Sequence, residues 1–310
     1  MTDNRFRQTD RQTDRHAYLV MAHGNFSVLE KCLSLLDDPR NDIYLHIDRK
    51  TKEVPFDRLK QSVCQARLTF VSRIPVNWGG SSQIEAELLL LSTAAAEYHS
   101  RYHLISGVDL PLKTQDEMHD FFSRHRTEEY IRFDSNITED RIRERIRFYY
   151  LLQDRIGRNS GIAAAVLEQA ENMILKVQKT LQIDRTKNIV PLYKGTNWFS
   201  ITQELADYVL SQSDEVRRRY RYTLCADEVF LQTIVGNSKF MERAADTSLR
   251  CIDWERGAPY TFTIEDYDML MNSGKFFARK FDEKVDMEIV DCIYAELMRR
   301  QMRRQECPRS

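Results

Sequence analysis

Short apolar segments alternate with amphipathic helical segments over the first 133 residues, and this alternation limits the possible folds more than any other feature of the chain. The apolar segments are rich in β-branched and aromatic residues, as buried strands are, and they occupy residues 17–22, 43–47, 68–71, 102–106 and 129–133. Strands that alternate with helices form βαβ units. The sequence therefore predicts an α/β fold with a largely parallel sheet flanked by helices.

The charge balance argues against a protein that binds polyanions. The 310 residues include 46 basic and 47 acidic side chains, for a net charge of −1, so no nucleic-acid partner is expected. Six cysteines without CxxC spacing favour free thiols. Residues 1–15 repeat a QTDR phrase and have no apolar segment of the kind found in signal peptides. They are predicted to be a disordered lead-in, and the protein is expected to be cytoplasmic.

The remaining residues, 16–310, are predicted to form a single domain with one helical insertion. The alternation stops at about residue 135, and residues 135–189 contain a basic, aromatic run and a long helical pattern. This segment is interpreted as an insertion over the ligand-binding face, with a solvated helical face as the alternative. Four arginines near the C-terminus are most simply a solvated face, although they are also compatible with peripheral contact with the inner face of a membrane: Arg299, Arg300, Arg303 and Arg304.

In sheets of this kind ligands bind beyond the carboxyl ends of the strands. That rule selects the loops at residues 22–24, 48–50 and 107–109. The chain contains neither GxGxxG nor GxxxxGK[ST], so a dinucleotide site and a P-loop are not expected.

Residues 193–235 are predicted to form a buried strand followed by a helix that begins with acidic residues. Thr223 is expected to cap this helix and to place Asp227 and Glu228 in its first turn. An acidic residue there can be a catalytic base on a rigid element. Equally, it can simply complement the helix dipole.

Six motifs, taken in order, resemble those of the core-2/I-branching glycosyltransferases. This family includes β-1,6-N-acetylglucosaminyltransferases and peptide O-xylosyltransferases, and the similarity extends from residue 17 to about residue 296. The motifs are HIDRK (46–50), NWGG (77–80), SGVDLPLKT (106–114), NWFSIT (197–202), ADEVFLQT (226–233) and FFARKFD (276–282). The C-terminal motifs look closer to the xylosyltransferase branch.

The resemblance implies a GT-A-like, Rossmann-type fold, a UDP-sugar donor, inversion at the anomeric carbon and no required metal or other cofactor. The catalytic base of the family falls on Glu228, its diphosphate-binding lysine on Lys280 and its uridine-binding aspartate on Asp48. Asp48 is alternatively a loop-capping residue. Arg256 is the nearest candidate for a further diphosphate-binding arginine, in a segment that is shorter here. The membrane anchor and disulfide framework of the animal enzymes have no counterpart in the sequence, which is consistent with a bacterial, cytosolic member.

The chemistry of an inverting transfer fits these residue types. A base removes the acceptor proton while a cation stabilises the leaving diphosphate. Arg279 and Lys280 are adjacent in an extended segment, so one of them faces the diphosphate, and Lys280 is preferred; a surface pair is the alternative. Asp266 and Asp268 form the only DxD sequence, interpreted as helix-capping acids rather than a metal site.

Five further residues are candidates for substrate contacts, and three of them have a structural alternative. Val20 and Ala22 lie on one face of the first strand and are expected to flank the donor base. Asp109 is expected near the donor sugar or, alternatively, to stabilise a turn. Trp78 is either part of the donor wall or a core anchor. Trp254 either stacks on the acceptor or packs in the core.

These observations predict a metal-independent, inverting glycosyltransferase. It would transfer N-acetylglucosamine or xylose from a UDP-sugar to a hydroxyl of a glycan or glycoconjugate. The alternative is a non-catalytic module on the same fold that binds a nucleotide sugar or a glycan.

Overall fold

A computed structural model describes residues 14–157, 161–187 and 190–306, with side chains described as far as residue 303. Residues 1–13 of the predicted lead-in, and the side chain of Arg304, lie outside the described residues. The division of the chain into a lead-in and one domain therefore stays a prediction.

The central sheet has six strands, and its first four in the chain are parallel neighbours. They are β1 (His16–Ala22), β2 (Asn41–Ile47), β3 (Arg67–Phe70) and β4 (Arg101–Ser106). The order across the sheet is β3-β2-β1-β4-β7-β6, where β6 (Tyr130–Ile131) and β7 (Phe199–Ile201) add antiparallel pairings at one side. The predicted α/β fold with a mostly parallel sheet is confirmed.

Hydrophobic cores lie on both faces of this sheet, which explains why the central strands are continuous apolar runs in the sequence. Tyr18 and Val20 pack on one face with helices α1 (Phe26–Leu35) and α12 (Glu288–Glu306). Leu19 packs on the other face with α3 (Ser82–Ala94) and α8 (Gln203–Ser211).

The other helices are α2 (Phe56–Gln61), α4 (Gln115–Arg124), α5 (Glu139–Arg147), α6 (Gln153–Ile156), α7 (Ile162–Thr180), α9 (Ser213–Tyr220), α10 (Phe230–Gly236) and α11 (Tyr267–Asn272). Three of these, α5 to α7, lie within the segment interpreted as a helical insertion. None of the helices in the described part of the chain combines the length and apolar character needed to cross a bilayer.

A second, three-stranded sheet connects the C-terminal part of the chain to the end of β4. Its order is β5-β9-β8, with β5 (Asp109–Pro111), β8 (Arg250–Ile252) and β9 (Phe277–Arg279). The register places Asp109 opposite Arg279. Two sequence candidates that are 170 residues apart are thereby brought together.

The helix predicted to begin at Thr223 begins later. Cys225 adopts a left-handed conformation (φ 48°), Ala226–Glu228 form a 3₁₀ turn, and the α-helix begins at Phe230. The Thr223 hydroxyl donates to the carbonyl of Tyr220 (2.5 Å), so it is engaged with the preceding helix and does not cap the next one. The interpretation of Glu228 as a first-turn residue of an α-helix was therefore wrong in detail.

Candidate active site

Glu228 lies at the end of the 3₁₀ turn, half-buried, with its side chain 29% exposed. Its backbone carbonyl accepts a hydrogen bond from the N–H of Gly195 (3.0 Å). The other side of Gly195 lies against Arg132, where a Cβ would be 1.7 Å from the carbonyl oxygen, so a residue with a side chain does not fit at this position. The turn is thus fixed against the chain that leads into β7, while the carboxylate stays open to solvent.

Two cations contact one oxygen of the Glu228 carboxylate. Arg145, on α5, donates to Oε2 (2.7 Å), and the Lys194 ammonium lies 3.3 Å from the same atom. Lys194 is also paired with Asp134 (2.6 Å). Among the described residues nothing donates a hydrogen bond to Oε1. One oxygen is therefore held by cations while the other can accept a proton from a bound hydroxyl.

Two further carboxyl groups are buried behind Glu228. Burial, reinforced by the neighbouring Glu228, raises the pKa of Asp227 to about 7. Burial and the charge of Asp227 raise the pKa of Glu87, on α3, well above its usual value. Each has one oxygen without a hydrogen-bond partner in the described structure, and the others accept from Gln83 (3.1 Å) and Asn197 (3.3 Å). Burial disfavours the charged form of both acids because water cannot solvate their charge.

The NWGG loop packs against the turn that carries Glu228. The carbonyl of Gly79 accepts from the N–H of Cys225 (2.8 Å), and the N–H of Gly79 donates to the Gln83 side chain (2.6 Å). Gly79 has φ +73°, a conformation that favours glycine. The side chain of Trp78 is on this loop and is 46% exposed, so the core-anchor alternative is wrong. Its place in a donor wall stays a prediction.

Asp48 joins the same edge of the sheet through the loop after β2. Its Oδ1 accepts from the backbone N–H groups of Lys50 (2.9 Å) and Val76 (3.3 Å), and Lys50 in turn donates to Asn77 (2.8 Å). Asp48 is thus a loop-capping residue in this structure. Among the described residues, the Lys50 ammonium, 3.6 Å away, is the one ion-pair partner of the Oδ2 atom, and uridine binding by Asp48 stays a prediction.

Asp109 and Arg279 form a buried ion pair beyond the end of β4. The guanidinium Nε of Arg279 donates to Asp109 Oδ1 (3.1 Å), and its centre lies 4.2 Å from the centroid of the Trp198 ring. Asp109 also accepts from the backbone N–H and the hydroxyl of Ser106. Asp109 is thus paired with Arg279 and accepts hydrogen bonds from Ser106, so its turn-stabilising interpretation accounts for its position. Direct donor contacts by either remain predictions.

Lys280 is the next residue and differs from Arg279 in its surroundings. Its backbone is fixed, since its carbonyl accepts from the N–H of Phe262 (3.0 Å). The side chain is half-buried and has no ion-pair partner among the described residues. Segment 194–198 connects the two parts of the site, because Lys194 contacts Glu228 at one end and Trp198 contacts Arg279 at the other.

Val20 and Ala22 do not present comparable surfaces. Val20 is fully buried in the core, whereas Ala22, at the end of β1, is 4% exposed and lies against Gly107. A Cβ on Gly107 would be 2.8 Å from that of Ala22, so the first and fourth strand ends meet closely. The expected contact of Val20 with a donor has no exposed surface to support it here, and the pair's role stays a prediction.

Trp254 follows β8 and is 54% exposed, so the core alternative is wrong and acceptor stacking stays a prediction. Arg256 is held by two carboxylates, Asp253 (2.6 Å) and Asp266 (2.8 Å). Asp266 also accepts from the N–H of Thr263 (3.0 Å) in a capping box, which supports its assignment as a helix-capping acid. A carboxylate-neutralised Arg256 is a weak candidate for a diphosphate ligand.

Sequence reasoning missed the residues that surround Glu228. Arg145 and Lys194 lie 83 and 34 positions away in the chain, and Glu87 lies on a different element, the helix α3. A local signal for Glu87 was its place directly before four consecutive leucines, since an acid within a buried helix is unusual.

Comparison with known proteins agrees with this arrangement of motifs. The family model described as Core-2/I-Branching enzyme matches residues 16–271. The chain belongs to the core-2/I-branching enzyme family. The resemblance drawn from the six motifs is thereby confirmed.

The family members that the chain resembles include several xylosyltransferases. A xylosyltransferase from Ciona intestinalis is 24% identical over 302 residues, which is 89% of this chain and 33% of that protein. Xylosyltransferase 2 of Rattus norvegicus is 24% identical over 308 residues, and xylosyltransferase 1 of Homo sapiens is 23% identical over 306 residues. The chain spans about a third of the length of these curated relatives.

Likenesses to solved structures are distant. Mouse xyloside xylosyltransferase 1, in its apo form, has a TM-score of 0.37 and 10% identity, covering 86% of this chain and 97% of that one. A 4-diphosphocytidyl-2C-methyl-D-erythritol synthase from Anaerococcus prevotii also has a TM-score of 0.37 and 10% identity, covering 74% and 83%.

Proposed function

We propose that the protein is a metal-independent, inverting glycosyltransferase that moves a sugar from a UDP-sugar to a hydroxyl of a glycan or glycoconjugate. The observation that carries the proposal is the presence of both a solvent-accessible glutamate, Glu228, and a lysine, Lys280, that has no ion-pair partner among the described residues. Family membership supports this choice of reaction.

In the proposed reaction the acceptor hydroxyl attacks the anomeric carbon on the face opposite the diphosphate. Glu228 Oε1 takes the hydroxyl proton as the new C–O bond forms, while Arg145 and Lys194 hold Oε2 in place. The bond to the diphosphate oxygen breaks in the same step. Lys280 is assigned to the diphosphate because its ammonium has no carboxylate partner in the described structure, whereas Arg279 is paired with Asp109.

Xylose is the first donor sugar to test because the relatives named above are xylosyltransferases. N-acetylglucosamine is the second. A UDP-release assay with UDP-xylose and UDP-N-acetylglucosamine, each with a panel of saccharide and glycoconjugate acceptors, tests the proposal. We expect acceptor-dependent UDP release that persists in EDTA, and a product of inverted anomeric configuration by NMR.

Three outcomes would contradict parts of this proposal. Retention of configuration at the anomeric carbon would contradict the single-displacement mechanism. An immediate and complete loss of rate on adding EDTA would remove metal independence. UDP-sugar binding without turnover of any acceptor would favour the alternative of a non-catalytic binding module.

A further inference from the structure

Three side chains of metal-binding type lie together at the amino-terminal edge of the sheet, opposite to Glu228. Asp14 precedes β1, His16 is the first residue of β1, and His119 lies in α4. Each offers one ligand atom, and these atoms all lie within 4.8 Å of one another. Within residues 14–157, 161–187 and 190–306, no second group of three or more such side chains is as close together.

The His119 ring has a nitrogen prepared to bind a metal ion. Its Nε2 lies 2.9 Å from Asn41 Oδ1, and the Asn41 amide nitrogen donates to Leu36 and Gln115. The Asn41 oxygen is therefore the acceptor, and Nε2 of His119 carries the hydrogen. The other nitrogen, Nδ1, then has a free lone pair and is buried without a hydrogen-bond partner in the described structure. Metal-binding histidines are oriented in this way by a partner on the second nitrogen.

The His16 ring is supported by a chain of hydrogen bonds. Its Nδ1 lies 3.2 Å from His103 Nε2, and His103 Nδ1 lies 2.8 Å from the Ser200 hydroxyl. The remaining nitrogen of His16, Nε2, is buried and has no partner among the described residues. The chain can run in either direction. An ion on Nε2 selects the direction in which His16 Nδ1 donates to His103, because Nε2 must then offer its lone pair.

The surroundings of His16 favour its neutral form, which is the form that binds a metal ion. Burial, together with the neighbouring His119 and His103, lowers the pKa of His16 well below its usual value. The nearby cations are already engaged: Arg40 pairs with Asp38 and Asp116 (both 2.7 Å), and Arg101 donates to two backbone carbonyls. Asp14 supplies the negative charge.

The site can be reached from solvent through Asp14. This residue lines a surface groove of about 440 Å³ together with Ser100, Arg101 and Phe122. The rings of His16 and His119 are stacked, with centroids 3.9 Å apart. Two nitrogens on a tetrahedral zinc ion, each about 2.0–2.1 Å from it, lie about 3.3 Å apart. The ligand atoms lie within 4.8 Å of one another, so side-chain rotations that shorten these distances by up to about 1.5 Å would complete the coordination.

We propose that Asp14, His16 and His119 bind one Zn²⁺ ion, with solvent in the fourth position. Two imidazoles and one carboxylate suit zinc rather than calcium or magnesium, which take oxygen ligands. The ion would tie the start of β1 to α4, on the edge of the sheet that does not carry Glu228. Its role is structural, and it takes no part in the proposed transfer reaction.

Isothermal titration of the metal-stripped, full-length protein with Zn²⁺ tests the proposal, and Co²⁺ absorption reports the coordination geometry. We expect one equivalent to bind and a tetrahedral-type Co²⁺ spectrum to appear. Asp14→Asn and His119→Gln should each weaken binding by at least tenfold. His125→Gln, a histidine on the same segment outside the cluster, should not. Gln at position 119 can still donate to Asn41, so this variant is expected to fold.

Two results would overturn the site. One is the absence of stoichiometric Zn²⁺ binding to the metal-stripped protein. The other is equal affinity in the parent, Asp14→Asn and His119→Gln proteins, with folding of each verified by circular dichroism. Zn²⁺ should also raise the Tm of the parent by several degrees but leave that of His119→Gln unchanged.

This test is independent of the proposed transfer reaction. In the parent protein EDTA should lower the Tm while the initial rate at 25 °C persists. In His119→Gln, EDTA should affect neither. If the transfer reaction needed a metal at the candidate active site, EDTA would instead reduce the rate of both proteins.

Discussion

The two edges of the central sheet handle their polar groups in opposite ways. At the carboxyl edge, Glu228 is half-exposed and compensated by Arg145 and Lys194, and Lys280 has no acidic partner in the described structure. At the amino edge, His16 and His119 are buried, and each has one ring nitrogen without a hydrogen-bond partner among the described residues. Mobile protons and leaving groups need charge and solvent access, whereas a structural ion needs a dry, preformed set of ligands.

A second contrast lies within the carboxyl edge itself. Glu228 faces solvent and cations, while its sequence neighbour Asp227 faces the core and Glu87. The Glu228 carboxylate therefore contacts two cations, whereas burial disfavours the ionised form of Asp227. Two adjacent residues of one turn thus differ in role: Glu228 is the proposed reactive group, and Asp227 is buried.

The largest effect expected is that of Glu228→Gln. Removing the base at the carboxyl edge should lower kcat by about 10²–10⁴-fold, the range typical of a general base. Glu242→Gln, an exposed glutamate on the 3₁₀ turn Lys239–Arg243, is the matched control and should change kcat little. Steady-state rates with a saturating UDP-sugar provide the comparison. Equal kcat values for both variants would contradict the assignment of Glu228 as the catalytic base.

Asp227→Asn should change stability in a pH-dependent way. The folded-state pKa of Asp227 is about 7 and thus above that of the unfolded chain, so ionisation of the unfolded chain destabilises the fold as pH rises from about 4 to 7. Above pH 7 the penalty reaches at most about 4 kcal/mol, at about 1.36 kcal/mol per unit of pKa. The Asn variant lacks it. Its advantage over the parent should therefore grow from pH 4.5 to pH 8.

Urea unfolding at pH 4.5, 6 and 8 measures this difference. Asp268→Asn, an exposed aspartate in α11, is the control and should follow the parent at every pH. Parallel stability curves for Asp227→Asn and the parent would show that Asp227 ionises freely in the folded protein. That result would contradict the contrast drawn between Asp227 and Glu228.

Lys280→Ala should weaken UDP binding by about 10- to 100-fold, which corresponds to the loss of one charge-assisted hydrogen bond of roughly 1.5–3 kcal/mol. Lys284→Ala removes an exposed lysine from the same segment and should leave the affinity unchanged. Calorimetric titration with UDP measures both. Unchanged affinity for UDP in the Lys280 variant would contradict the assignment of Lys280 to the diphosphate.

The smallest effect expected is on the acceptor. Trp254→Ala should raise the acceptor KM by a few-fold, since one exposed aromatic stacking contact contributes about 0.5–1.5 kcal/mol. Trp254→Phe should recover most of the loss. An unchanged acceptor KM in the Ala variant would place acceptor recognition elsewhere.

The sequence predicted the parts of the molecule that depend on local patterns. Strands β1, β2 and β4 are buried on both faces, so they appear as largely apolar runs without a strict alternation of polar residues. The spacing of Thr114 and Glu117 predicts a capping box at the start of α4, and the structure confirms it. The same spacing of Ser82 and Glu85 also predicts a capping box, but none forms, and the Ser82 hydroxyl instead accepts from the N–H of Asn77 (2.8 Å).

Long-range contacts account for what could not be predicted. The start of α10 was misplaced because the left-handed Cys225 is fixed by its hydrogen bond to Gly79, 146 residues earlier. Strand 129–133 was predicted as a full member of the sheet, but only Tyr130 and Ile131 pair, at an edge. The histidine cluster was invisible because His16 and His119 have no metal-ligand spacing in the chain.

A crystal structure of the complex with UDP is the most direct test of the account, which assigns the donor to the carboxyl edge of the sheet. We predict diphosphate oxygens about 2.7–3.0 Å from Lys280 Nζ, with Glu228 Oε1 facing the open side of the site. UDP bound at the amino edge, or at the carboxyl edge with Lys280 turned away from the diphosphate, would contradict it.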